Sequence, residues 1–190
     1  MKIVFATHNK NKLKEVSALM PAHIELLSLT DIGCHEDIPE TSPSIEGNAL
    51  LKANYVKEHY GYDCFADDTG LEVQALNNEP GVFSARYAGP NNDAAANMNK
   101  LLLNLQQKNN RKAHFKTVIA LSQSNNTELF TGICEGEIIS EKKGDLGFGY
   151  DPIFQPKGFD KTFAEMTLEQ KSDIGHRGKA VRQLIDFLSK

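Results

Sequence analysis

Apolar and polar positions recur along this chain with two periods, and the periods predict its elements. The opening "KIVFA" is a short apolar run of strand type. Leu13, Val16 and Met20 then fall on one face of a helix from about Lys10 to Met20. "IELLSL" predicts a second strand, and the acidic, turn-rich stretch from Thr30 to Ser44 predicts a loop. Ile45, Ala49, Ala53, Val56 and Tyr60 return at helical spacing. Leu71, Val73 and Ala75 alternate with Glu72 and Gln74, as in a half-buried strand, and "NNEPG" after them predicts a turn. Asn92 is placed to cap a helix that runs to Leu105. Phe115, Thr117, Ile119 and Leu121 alternate again, "SQSNNT" turns the chain, and a strand from about Glu128 to Ile139 completes a hairpin. Val181, Leu184, Ile185 and Leu188 form the stripe of a last helix. Strands interleaved with helices, plus one hairpin, predict an α/β protein with a mixed central β-sheet.

A chain of 190 residues suits a single domain over 1–190 with a sizeable core. The formal net charge of −4 argues against a nucleic-acid partner, because phosphate backbones select basic surfaces. No apolar run is long enough to span a membrane. "MKIVFATHNK" turns polar too early for a signal peptide. Cys34, Cys64 and Cys134 are odd in number and far apart, as expected of reduced core thiols in a cytoplasmic protein.

Four polar groupings stand out against this background. "THNKNK", Thr7 to Lys12, joins the first strand to the first helix. A polar loop entering a helix N-terminus presents backbone N–H groups to an anion, with charge from Lys10 and Lys12 and hydrogen bonds from Thr7 and Asn9. A solvated first helical turn fits the same spacing, and the glycines and GK[ST] ending of a Walker A loop are missing. The second grouping is acidic: Glu36, Asp37 and Glu40 in the long loop, with Asp67 and Asp68 in "FADDTGLEV". Hard cations such as Mg²⁺ take one or two carboxylates plus substrate phosphates, and a carboxylate can accept a proton from water. Glu36 and Asp37 read better as exposed loop charge, and Asp-Asp-Thr-Gly reads equally well as a turn or cap.

"GDLGFGYDPIF", Gly144 to Phe154, sets glycines beside Phe148 and Tyr150, where backbone can approach a ligand and a ring can stack on a base. A tight connection whose aromatics enter the core fits it too. In "EQKSDIGHRGKAV", Lys171, His176, Arg177 and Lys179 cluster before the last helix. The helix dipole disfavours cations at that end, so an anionic ligand would account for them.

"FATHNKNKLKEV", "FADDTGLEV", "PGVFSARYAG", "GFGYDPIF" and "EMTLEQKSDIGHRGKA" occur in one order along nearly the whole chain. In that set and order the sequence resembles the inosine triphosphate pyrophosphatase family, enzymes that clear non-canonical purine nucleoside triphosphates. The resemblance implies a mixed sheet with flanking helices, two lobes around a cleft, and a homodimer. It implies Mg²⁺-dependent hydrolysis of ITP, dITP and XTP to the monophosphate and pyrophosphate. It implies that Thr7, His8, Asn9, Lys10, Asn11 and Lys12 hold the triphosphate. Asp68 would be the proton acceptor and a metal-associated residue, with Glu40 near the metal. Thr69 keeps the hydroxyl of the family's usual Ser; Phe148, Gly149, Tyr150 and Asp151 would contact the nucleoside, and Lys171, His176 and Arg177 would complete the substrate contacts. His8 stands where the family usually has Gly, and Gly47 where it usually has Glu, so position 47 is not counted among the metal ligands.

The adjacent carboxylates then divide the work. In an extended segment Asp68 faces the substrate while Asp67 points away or buttresses the loop. Water attacks the α-phosphorus, and His176 or Arg177 donates to the purine 6-keto oxygen. Two alternatives remain open: a Maf-type pyrophosphatase acting on pyrimidine or modified nucleotides, and a nucleotide-binding protein without catalysis.

Overall fold

The computed structural model describes residues 1–124 and 126–190. In chain order the elements are β1 (Lys2–Phe5), α1 (Lys10–Ser17), β2 (Glu25–Ser28), α2 (Ile45–Tyr60), β3 (Cys64–Val73), β4 (Glu79–Gly81), α3 (Ala94–Asn104), β5 (Lys112–Gln123), β6 (Asn126–Ile138), β7 (Phe154–Pro156), α4 (Leu168–Ile174) and α5 (His176–Leu188). The strands hydrogen-bond in the order β2-β1-β3-β5-β6-β7, with β4 on β3. β1 pairs in parallel with β2 and β3, whereas β3–β4 and β6–β7 are antiparallel, so the α/β sheet is mixed. Among the described residues no helix is long and apolar enough to cross a membrane.

The chain divides into two compact units. One comprises Met1–Asp68, Thr117–Gly132 and Arg177–Lys190; the other comprises Thr69–Lys116 and Ile133–His176. The first unit packs α1 and α5 on the sheet through Ile3, Phe5, Val16, Phe65, Ile119, Val181 and Leu184. Phe5 and Phe65 stack there with ring centroids 4.7 Å apart. In α2, Ile45, Ala49, Ala53 and Val56 are buried at the spacing the sequence predicts. The second unit has its own core, in which Leu71, Val73, Leu101 and Leu105 meet Phe115, Phe154 and Phe163.

Several boundaries differ from the sequence reading for physical reasons. α1 stops at Ser17 rather than Met20, because Pro21 pushes the residue before it out of the helical region. The cap of α3 is Asp93, whose carboxylate accepts from the Ala96 N–H at 3.0 Å; Asn92 instead adopts a left-handed φ of 52°. α4 was not predicted. Its seven residues are too few to show a stripe, and a reciprocal Thr167–Gln170 capping box starts it. Strands β5 and β6 are neighbours, as the hairpin required; the predicted turn between them includes Asn125, which lies outside the described residues.

Candidate active site

The stretch after β1 organises itself. Asn9 is the N-cap of α1, and its Oδ1 accepts from the N–H groups of Asn11 and Lys12 at 2.9 and 3.2 Å. The Asn9 N–H donates to Thr7 Oγ1 at 3.1 Å. Three backbone donors at this helix start are thus held by the loop's own side chains, which fixes its shape. Lys12 reaches back into the unit, with Nζ 3.0 Å from Asp67 Oδ1. Exposed His8 does not point at empty solvent: its Nε2 lies 2.9 Å from the carbonyl oxygen of Glu36. Glu36 in turn accepts from the hydroxyls of Tyr55 at 3.0 Å and Tyr60 at 2.7 Å, and those bonds push its carboxyl down to about 2. Glu36 is therefore a clasp on the long loop, four residues before Glu40, while Asp37 is plain exposed charge.

The two carboxylates of β3 separate as an extended strand requires. Asp67 is fully buried between Lys12 and Arg177, whose Nε is 3.0 Å from Asp67 Oδ2. Burial opposes its ionisation, but Lys12, Arg177 and Lys52 outweigh that and hold the carboxyl well below the usual range. Asp68 takes different partners. Its Oδ2 accepts from Asn48 Nδ2 at 3.3 Å, and its Oδ1 is 3.8 Å from Lys52 Nζ. Burial pushes the Asp68 carboxyl up, against the pull of Lys52 and Lys12. A raised carboxylate suits a proton acceptor more than a structural ion.

Lys52 is buried on α2 with its ammonium between Asp68 and Glu40, to which it donates a short hydrogen bond. The sequence assigns no role to Lys52 or Glu15, and Asn48 stands out in it only as a residue shared with the family's usual helix start. The signal for Lys52 and Asn48 was present: Asn48 is three residues after Ile45 and Lys52 three after Ala49, so both sit on the buried stripe of α2. Asn48 also accepts from the Ser42 N–H at 2.9 Å, tying the long loop to the helix. A Cβ at Gly47 would collide with the Ser42 hydroxyl, so a side chain there requires Ser42 to move.

A hard cation fits this part of the unit. Glu40 and Asp68 both approach the Lys52 ammonium, so two carboxylates already converge on one cationic group. Among the described residues no three His, Cys, Asp or Glu side chains gather as a complete metal cage. A hard cation held by two carboxylates takes its other ligands from water and phosphate oxygens.

The second unit gathers the other predicted residues. Lys171 Nζ donates to Asp151 Oδ2 at 2.5 Å and lies over the rings of Phe148 and Phe163, 4.8 and 5.5 Å from their centroids. The Phe148 N–H donates to the same Asp151 oxygen at 2.9 Å. Gly147 permits this turn: its φ is 73°, and a Cβ would strike the Asp151 carboxylate. Tyr150 is anchored by its hydroxyl to the Ser84 carbonyl at 2.8 Å, and Gly149 turns through a φ of 64°. His176 is buried and stacks on Phe115 at 4.5 Å. Thr69, half-buried, follows Asp68 directly on β3.

His176 and Arg177, adjacent in sequence, thus have different surroundings. The Arg177 guanidinium commits Nε to Asp67 and Nη1 to Glu15, both within the first unit. No local pattern points to the Glu15 contact, which joins residues 162 apart. His176 belongs with Phe115 and Phe163 in the second.

A model of the Ham1 family matches residues 3–187. The chain is 62% identical to a dITP/XTP pyrophosphatase of Flavobacterium psychrophilum, over 98% of each chain. It is 62% identical to another of that name from Christiangramia forsetii, over the full length of both. Among solved structures, the Staphylococcus aureus Ham1 protein superposes with a TM-score of 0.91 at 40% identity, covering 100% of this chain and 98% of that one.

Proposed function

Because the chain belongs to the Ham1 family, we propose that it hydrolyses non-canonical purine nucleoside triphosphates, dITP and XTP together with ITP, to the monophosphate and pyrophosphate. The observation that carries this reading is the 62% identity, over essentially the whole chain, to relatives that bear the name dITP/XTP pyrophosphatase. The separation of Asp67 from Asp68 supports it independently, since it sets apart a low structural carboxyl and a raised one.

In this reading Lys10 and Lys12 meet the triphosphate at the start of α1, with Thr7, His8, Asn9 and Asn11 shaping the loop. Asp68 accepts the proton of the attacking water at its carboxylate, and Asn48 holds that carboxylate in place. Asp68 and Glu40 would hold Mg²⁺, which would supply positive charge to the phosphate oxygens. Lys52, whose ammonium lies beside both carboxylates, would add its positive charge next to the ion's. Most of the acceleration is then positioning and electrostatics, as in phosphoryl transfer generally. In the second unit Phe148 and Tyr150 contact the nucleoside, with Thr69 and Gly149 beside the substrate. Asp151 and Lys171 brace one another, and His176 donates to the 6-keto oxygen. Adenine carries an amino group at that position and would leave the donor unpaired. We also read the chain as one pyrophosphatase domain over 1–190 and as a cytoplasmic homodimer without nucleic-acid or membrane partners. The dimer follows from the family resemblance; three buried thiols suit a reducing compartment.

A panel of triphosphates tests the substrate. With Mg²⁺, kcat/KM for dITP, ITP and XTP should exceed that for ATP by at least about ten- to a hundredfold, the size of a lost hydrogen bond to a charged or buried donor. A preference for pyrimidine triphosphates would favour the Maf-type reading, and pocket binding without turnover the non-catalytic one.

A further inference from the structure

Lys12 and Glu15 lie three residues apart on α1 and so share its inner face. Arg177 at the start of α5 and Asp67 on β3 connect them. Glu15 accepts a short hydrogen bond from Arg177 Nη1, Arg177 Nε donates to Asp67 Oδ2 at 3.0 Å, and Asp67 Oδ1 pairs with Lys12 Nζ at 3.0 Å. Four charges therefore alternate in sign along one chain of contacts within the first unit. Glu15 is 7% exposed, Arg177 3% and Asp67 0%, so none of the three is screened by solvent as a surface pair would be.

The Asp67 carboxylate is divided, one oxygen to each cation. Glu15 supplies Arg177 with a second anion beside Asp67. We propose that Glu15 is a positioning residue for Lys12: by engaging Arg177 it keeps one Asp67 oxygen available to aim the Lys12 ammonium at the phosphates. The inference rests on the reading that Lys12 meets the triphosphate. Without the Glu15 charge, Arg177 draws more on Asp67, to which its Nε already donates at 3.0 Å, and competes with Lys12 for that carboxylate. Lys12 loses its direction. Asp68, which accepts from Asn48 and lies 3.8 Å from Lys52, keeps its place. The consequence is a loss of phosphate affinity with little change in the chemical step.

The test is a double-mutant cycle in the intact protein. Glu15→Gln, Lys12→Met and the pair are compared in calorimetric binding of inorganic triphosphate and in kcat and KM for dITP with Mg²⁺. Glu15→Gln should weaken triphosphate binding and raise KM by about tenfold, with kcat within about twofold of the parent. In the Lys12→Met background the same change should cost less than about twofold. An equal loss in both backgrounds would mean that Glu15 acts on the fold at large, and overturns the proposal. If Lys12→Met binds inorganic triphosphate as tightly as the parent, the phosphate role of Lys12 fails first, and the proposal with it. Should Glu15→Gln not fold, Glu15→Asp, which keeps the charge but shortens the reach, carries the same comparison.

Discussion

Asp68→Asn is expected to reduce turnover of dITP by about 10²–10⁴-fold, the usual contribution of a positioned base, while the fold stands. The substitution conserves volume, and the new amide oxygen can still accept from Asn48 Nδ2. What disappears is the proton-accepting oxygen and one of the two charges converging on Lys52. Stability should not fall. Burial raises the Asp68 carboxyl in the folded chain, so its ionised form costs folding energy at neutral pH, and a neutral amide relieves that cost. Lys52 keeps Glu40 as its counter-ion. Turnover measured beside thermal unfolding checks both halves. Parent-like turnover would show that another group takes the proton.

Arg177→Ala should produce the largest loss of stability, about 3–5 kcal/mol, which is typical when one partner of a buried ion pair is removed. The change leaves Asp67 and Glu15 as buried carboxylates without the guanidinium that joins them. The pH dependence has a definite sign. Asp67 in the folded chain lies well below its unfolded value of about 3.9. Its contribution is therefore fully present above that unfolded value and is lost as pH falls through the lower, folded one. Without Arg177 the folded carboxyl moves back toward its ordinary value, so the gap in stability between parent and variant should narrow as the solution is acidified below about pH 4. Denaturant unfolding at pH 7 and at pH 3 measures both effects. A variant as stable as the parent at pH 7 would remove Arg177 from its anchoring role. The base-reading role expected from the sequence is tested on the same protein by the ratio of ITP to ATP turnover, which falls only if Arg177 distinguishes the two bases.

Periodicity carried much of the fold. The stripe of α2, the alternation of β5 and the stripe of α5 are each long enough for a repeat to show, and they appear where the spacing places them. α4 is too short to repeat, and only its Thr167–Gln170 capping pair marked it. The division of labour between Asp67 and Asp68 could be read because a strand has a period of two. Their partners could not. Arg177 is 110 residues from Asp67 and 162 from Glu15, and no local pattern reports a contact at that distance. Lys52 lay between the two. Its place on an apolar stripe announced a buried cation, yet only the folded chain sets Glu40 and Asp68 beside it. The tyrosine clasp on Glu36 was read as simple loop charge because the phenols come from a helix 19 and 24 residues away.

Which phosphorus the water attacks distinguishes a pyrophosphatase from a phosphatase. dITP, Mg²⁺ and the protein are incubated in ¹⁸O-enriched water, and the products are followed by phosphorus NMR and mass spectrometry. Attack at the α-phosphorus yields dIMP carrying the label and unlabelled pyrophosphate in equal amounts. Orthophosphate and dIDP as the first products, or label in the pyrophosphate, would contradict it.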